Sequence, residues 1–263
     1  KAIVSLAVQQ SVPVTVRGAG TGNYGQIIPM QGGILIDTTK MNRIIEIKQG
    51  EVRVEPGVKM GALKRTLREQ DQEICIFPST YMKATAGGFV CGGSGGLGSI
   101  TWGNLWDGNV MALKVLTIEE TPRVIRATGK ELMNYIHSYG TTGIVTEIVF
   151  RTTKRTDWME AIASFPDLAD SLRFAKQLAK TDDRNGLFPR VNGRSHPISA
   201  HLKMSFKMGN ISFFSNSTNR AMKLLQQWSH NIVGILRTPF LRKNTTLFKV
   251  YRTSRGTIRH CGH

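Results

Sequence analysis

The sequence predicts an α+β domain over residues 1–155, the start of a second domain over 156–183 and a basic tail over 184–263. Three observations carry this division. Short β-branched runs bounded by Gly, Pro or polar turns outnumber helical patterns, so strands dominate and helices pack beside them. Two dense glycine segments sit between patterned elements rather than in a flexible linker. Charge is split unevenly: residues 1–183 hold 21 Lys+Arg and all 18 Asp+Glu, whereas 184–263 hold 14 Lys+Arg and no acid.

Each element follows from periodicity. The chain opens at Lys1 on a helical pattern, with Ile3, Val4, Leu6, Ala7 and Val8 in one turn-and-a-half, so its front edge reads as cut. A strand at 14–17 is entered through Pro13, and strands at 34–36, 44–47 and 52–55 follow, each closed by turn residues. Residues 60–69 have helical spacing, with Leu63 and Leu67 on one face. Strands are expected at 110–117 and 124–127, a helix at 130–137 and a buried strand at 144–152. Beyond them a strand at 158–163 and an amphipathic helix at 168–179 open the second domain.

The glycine segments are the functional signal. Residues 85–98 hold seven glycines in their last twelve positions, with Phe89, Val90 and Leu97 among them. Glycine weakens regular structure and adds nothing to a core, so a dense run implies backbone that lies close to a large ligand. The earlier Arg17-Gly18-Ala19-Gly20-Thr21-Gly22 repeats the theme, and two such loops suggest a cradle for a dinucleotide. A Rossmann loop must open a helix, but Asn23-Tyr24-Gly25-Gln26-Ile27-Ile28-Pro29 is no helix and the next strong element is a strand. No Gly-Lys-Ser/Thr is present, which excludes a P-loop.

These residues resemble a known family. Residues 13–22, then Gly33-Ile34-Leu35-Ile36-Asp37 and Met41-Asn42-Arg43-Ile44, are similar to the PCMH-type FAD-binding domain of the vanillyl-alcohol-oxidase flavoprotein superfamily. Val54-Glu55-Pro56-Gly57-Val58, Pro78-Ser79 with Thr85-Ala86-Gly87-Gly88, Trp102-Gly103 with Asp107 and Val110, and residues 140–148 continue the match over about residues 1–155. The glycolate-oxidase and D-lactate-dehydrogenase branch is the most similar. The resemblance implies two α+β subdomains, the first incomplete, and an oxidoreductase that passes hydride from a 2-hydroxy acid or alcohol to FAD. A quinone, cytochrome or dioxygen would then reoxidise the flavin.

By the same resemblance, Gly18, Ala19, Gly20, Thr21, Gly22 and Asn23 should offer amides to the FAD pyrophosphate, with Arg17, which reads equally as a solvated strand-end charge, beside them. Pro78, Ser79, Thr85, Gly87, Gly88, Gly92, Gly93, Ser94, Gly95, Trp102 and Gly103 belong to the second segment, several of them on the isoalloxazine and ribityl side. Gly143, Ile144 and Val145 should reach the flavin or adenine through their backbone. Members with covalent flavin use a histidine where this chain has Thr21, so FAD is expected to be non-covalent. Thr142 stands where an acidic residue is common. No catalytic base is assigned, because the family's base lies in a substrate domain that this chain lacks.

The net charge of +17 suggests nucleic acid, but its tail is interleaved with apolar pairs and shows no recurring aromatic-plus-basic pattern. The acid-free tail reads instead as a poorly ordered continuation that is not a native domain, with local helix confined to about 219–235. Rival readings are a catalytically inactive FAD-binding remnant and a basic-tailed nucleic-acid-binding protein. Three cysteines without a C-x-x-C pair suggest a reducing cytoplasm, and no apolar run reaches membrane-spanning length. His196, His201, His260, Cys261 and His263 lack metal-site spacing, so no metal is expected.

Overall fold

Helix α1 (Ala2–Gln9) leads through Pro13 into β1 (Val14–Arg17), which pairs in parallel with β2 (Ile34–Asp37). The structure, a computed structural model, describes residues 1–156, 158–165, 172–173, 176, 190–192, 200–207 and 249–252. The hairpin of β3 (Ile44–Lys48) and β4 (Glu51–Val54) precedes α2 (Met60–Glu69) and β5 (Gln72–Ile74). Two short helices follow, α3 (Ala86–Gly92) and α4 (Ser99–Trp102), then a π-type turn, Leu105–Asn109. The hairpin of β6 (Val110–Leu116) and β7 (Val124–Thr128), a 3-10 turn at Gly129–Asn134 and β8 (Ile144–Lys154) complete this first unit, Lys1–Arg155.

The main sheet runs β3-β4-β8-β6-β7, antiparallel throughout, and β5 pairs with the far end of β8. Strand alternation puts Val52 and Val54, Leu113 and Val115, and Ile148 and Phe150 into one core, where Leu63, Leu67, Phe89 and Val90 of the helices join them. Each such side chain contributes roughly 1.5–3 kcal/mol on burial. A smaller cluster of Val4, Leu116 and Ile144 sits under α1, with Val16 and Ile36 against it. Other side chains of β3, β4, β6 and β8 form a line of ion pairs: Glu46–Arg53 at 3.1 Å, Arg53–Glu147 at 3.7 Å and Glu147–Lys114 at 3.0 Å.

The second unit, Thr156–His263, contains β9 (Trp158–Phe165), β10 (Arg190–Asn192), β11 (Ala200–Lys207) and β12 (Lys249–Arg252). They form an antiparallel sheet in the order β10-β11-β9-β12. Composition alone leaves 190–192, 200–207 and 249–252 without assigned elements. The structure gives them strand pairing, centred on β9. Of the helix expected at 168–179, Leu172, Arg173 and Lys176 are helical. The helix expected at 219–235 lies outside the described residues.

Three elements differ from the periodic reading. Helix α3 lies inside what glycine content marks as extended loop. Strand β5 is short and polar, yet Gln72 is buried because its Oε1 accepts from Thr152 Oγ1 at 2.6 Å and Gly50 N at 3.1 Å. The helix expected at 130–137 is the 3-10 turn Gly129–Asn134 instead. Leu132 and Ile136 are buried, as their spacing requires, but the chain then reverses through positive φ at His137 and Tyr139 to enter β8.

Candidate functional site

Three segments converge on one cleft. The first begins where β1 ends. Thr38 N and Oγ1 both donate to the Arg17 carbonyl, at 2.9 and 3.0 Å, which ties the ends of β1 and β2 together. The chain then leaves through Gly18, Ala19, Gly20, Thr21, Gly22 and Asn23. Among the described residues, nothing accepts a hydrogen bond from any of these six amides. Gly20 sits at φ +66°, where a side chain is strained. Arg17 Nε is buried with no hydrogen-bond partner, its nearest carboxylate oxygen being Asp37 Oδ2 at 3.8 Å. Asp37 is occupied elsewhere: hydrogen bonds from Thr39 hold its carboxyl below the usual range, and Arg17 adds a smaller effect. Positive charge and donors therefore gather at the start of this loop.

The second segment is α3. Its amides are already engaged: Ala86 N donates to Val58 O and Gly87 N to Pro56 O, both at 2.8 Å. Gly88 N donates to the capping Thr85 Oγ1 at 3.3 Å, and Phe89 N to Thr85 O at 2.9 Å. Glycine here gives room rather than donors. A Cβ at Gly87 would lie 2.6 Å from Pro56 Cβ, and one at Gly18 would overlap Thr85 Oγ1, so the two glycine segments pack directly together. Gly92, in contrast, has open space where a Cβ would be.

The third wall is the turn before β8. Gly140 packs near Val16, and a Cβ at Gly143 would lie 2.5 Å from Val115 Cγ1. Tyr139 stands beside them.

Of the residues expected at a site, Gly18, Ala19, Gly20, Thr21, Gly22, Thr85, Gly87, Gly88, Gly92, Gly143 and Val145 line this cleft. The others stand outside it for identifiable reasons. Gly93 is the left-handed cap of α3, pressed against His137, and Ser94 and Gly95 are exposed beyond it. Pro78 is buried, its carbonyl accepting from Tyr81 N, and Ser79 is exposed. Trp102 lies under the Arg151 guanidinium at 5.2 Å, Gly103 packs against Asp107, and the Ile144 side chain belongs to the α1 cluster. Asn23 is exposed and Arg17 lies behind the loop.

The cleft also takes Val16, Gln26, Ile27, Thr38, Pro56, Cys91, Tyr139 and Gly140, which the motifs did not single out. Thr38, Pro56 and Gly140 sit inside or directly beside matched motifs, the available signal. Burial pushes the Cys91 thiol up to about 12, so it presents neutral S–H. The cleft is open on one side and has a volume of about 110 Å³. Pockets for whole small molecules usually run about 300–1,000 Å³, so this cleft is too small to enclose a whole dinucleotide. Among the described residues no group of three His, Cys, Asp or Glu converges as a metal site, and no helix is long and apolar enough to cross a membrane.

The FAD binding domain family matches residues 1–126. An uncharacterized FAD-linked oxidoreductase of Mycobacterium tuberculosis is 29% identical over 177 residues, covering 63% of this chain and 38% of that protein. D-lactate dehydrogenase of Anaerostipes hadrus is 30% identical over 161 residues, or 57% of this chain and 33% of that protein. The glycolate oxidase subunit GlcD of Escherichia coli is 26% identical over 158 residues, 57% and 32% respectively. The chain thus spans well under half the length of these relatives. In fold it is similar to alkyldihydroxyacetonephosphate synthase, with a TM-score of 0.66 and 15% identity over 88% of this chain and 49% of that one. Motif order, cleft and matches agree in likening residues 1–126 to the FAD binding domain family.

Proposed function

We propose that this chain is the cofactor-binding part of an oxidoreductase that oxidises a small 2-hydroxy acid or alcohol, with FAD held non-covalently in the cleft. The observation that carries it is the set of partnerless amides in residues 18–23. Backbone donors left unpaired in a folded domain are costly unless water or a ligand takes them, and a diphosphate suits a row of them. Arg17 adds charge behind the loop, and the glycines at 20, 88 and 92 leave room for close approach. Bound FAD would supply the hydride-accepting chemistry, while these residues bind and orient it.

Non-covalent attachment is supported by Thr21, whose weakly nucleophilic hydroxyl stands where covalent members carry a histidine, and by the neutral Cys91 thiol. The hydroxy-acid substrate class rests on the similarity to D-lactate dehydrogenase and glycolate oxidase. Cys75 and Cys91 are free thiols, which favours a reducing, cytoplasmic setting. Purified protein incubated with FAD should turn yellow, and acid precipitation should leave all flavin in the supernatant. D-lactate or glycolate with an artificial electron acceptor then tests turnover. A yellow protein without turnover decides for a cofactor-binding chain that needs the rest of its relatives' length, a reading that the partial coverage favours.

A further inference from the structure

We propose that His137 and Tyr139 form a ligand-positioning pair at the cleft: the Tyr139 phenol contacts an oxygen of the phosphate–sugar backbone of FAD, and His137 holds that phenol in place. The inference rests on the FAD reading above. Tyr139 lines the cleft and is 38% exposed, and its hydroxyl lies 3.0 Å from His137 Nε2 with the two rings edge to face. Both residues take positive φ, +63° at His137 and +54° at Tyr139. Histidine is among the side chains found more often in this region, but bulky Tyr139 is a genuine outlier there, and such strain clusters at ligand sites. Gly140, the next residue, also has positive φ (+79°) and is glycine, the type a turn takes when only its backbone matters.

The ring pair is not needed to hold the turn. Ser138 Oγ donates to Tyr135 O, Gly140 N to Ser138 Oγ, Thr141 Oγ1 to Ser138 O and Thr142 Oγ1 to Asn134 O. His137 N and Tyr139 N dock the turn on the last carbonyls of α3, donating to Val90 O at 3.1 Å and Cys91 O at 2.9 Å. The phenol is thereby fixed relative to Gly92 and, through the Gly140–Val16 contact, relative to the strand that feeds the first glycine loop. When Nε2 carries the proton, it donates to the phenol oxygen and frees the phenolic O–H for a phosphate or sugar oxygen.

The test is FAD titration of the full chain and its variants, followed by flavin fluorescence, with the ligand-free melting temperature as a control. Tyr139→Phe should weaken FAD binding about tenfold, the size of one hydrogen bond, without moving the ligand-free melt. His137→Ala should cost the same factor, and the double variant no more than either single change, because His137 acts through Tyr139. His137→Asn should restore most of the affinity, since an amide can hold the phenol and Asn tolerates this backbone. A wild-type chain that takes up no FAD overturns both the FAD reading and the pair. A wild type that binds FAD while Tyr139→Phe and His137→Ala bind equally well overturns the pair alone. Additive losses, or a His137→Asn variant as weak as His137→Ala, overturn the role given to His137.

Discussion

The loop after β1 and the segment around α3 are both glycine-rich and both face the cleft, yet they use glycine for different ends. In the first, six consecutive amides have no acceptor among the described residues and Gly20 takes a left-handed φ. In the second, the amides of α3 are satisfied inside the protein, and the glycines downstream fit between neighbours. A Cβ at Gly96 would lie 2.7 Å from Phe77 O, and one at Gly98 would overlap Cys75 O. Glycine density marks both stretches equally. Only the fate of the amides separates a loop with free donors from a packing segment.

The contrast breaks most visibly at Gly98. Its φ of +105° and the backbone carbonyl in its path leave no way to relax, so Gly98→Ala should destabilise the domain by about 3 kcal/mol or more, with or without FAD. Urea unfolding checks this, and a variant of wild-type stability would make the downstream glycines ligand residues after all. Gly20→Val should do the reverse. The nearest atom is the flexible end of Ile27 at 3.0 Å, so stability should fall by only about 1–2 kcal/mol, the left-handed penalty. FAD affinity should drop at least about a hundredfold, which equilibrium dialysis would report.

Gly92→Ala sharpens the comparison within α3. Nothing lies within 4 Å of the new methyl, so the empty protein should gain about 0.5–1 kcal/mol of helix stability. The methyl enters the cleft, so FAD binding should weaken about tenfold, one added methyl being worth about 1–3 kcal/mol where it must be accommodated. A calorimetric melt with and without FAD should show the two effects with opposite sign. The smallest effect concerns the clamp beneath Pro56. Arg43 donates to Glu55 from Nη2 at 2.8 Å and from its backbone N at 2.9 Å, lowering the Glu55 carboxyl below its ordinary range. A depressed carboxyl stabilises above the unfolded value and loses that contribution as pH falls through the folded one. The wild-type melting temperature should therefore decline below the ordinary carboxylate range, and Glu55→Gln should show a shallower decline.

Strands were legible because β-branched runs between turn residues have few alternatives, and α2 because Leu63 and Leu67 recur at helical spacing. Helix α3 was not, since its helicity comes from the Thr85 cap and the Pro56 and Val58 carbonyls rather than from propensity. Gly18 to Gly22 line the cleft, and their glycine density together with the matched motif order is the signal that pointed to them. Thr38, Pro56 and Tyr139 enter the cleft from distant positions, and their part depends on the sheet order. Gly93 and Gly98 look like ligand glycines in one dimension because the neighbours that require them, His137 and Cys75, are far away in the sequence.

Strand β8 lies between β4 and β6, so the middle of the sheet is the last piece of the first unit to leave the ribosome. Val54 must wait for Ile148, about 90 residues later, which takes about 5–20 seconds at ordinary synthesis rates. Throughout that interval one side of the β3-β4 hairpin is an open edge, the condition in which strands pair with the wrong chain. Expression at lower rates or with chaperones should therefore change the yield of folded protein more than any single cleft residue does. The same strand and the residue before it deliver Val145 and Gly143, so a nascent chain gains its cleft only when its sheet closes.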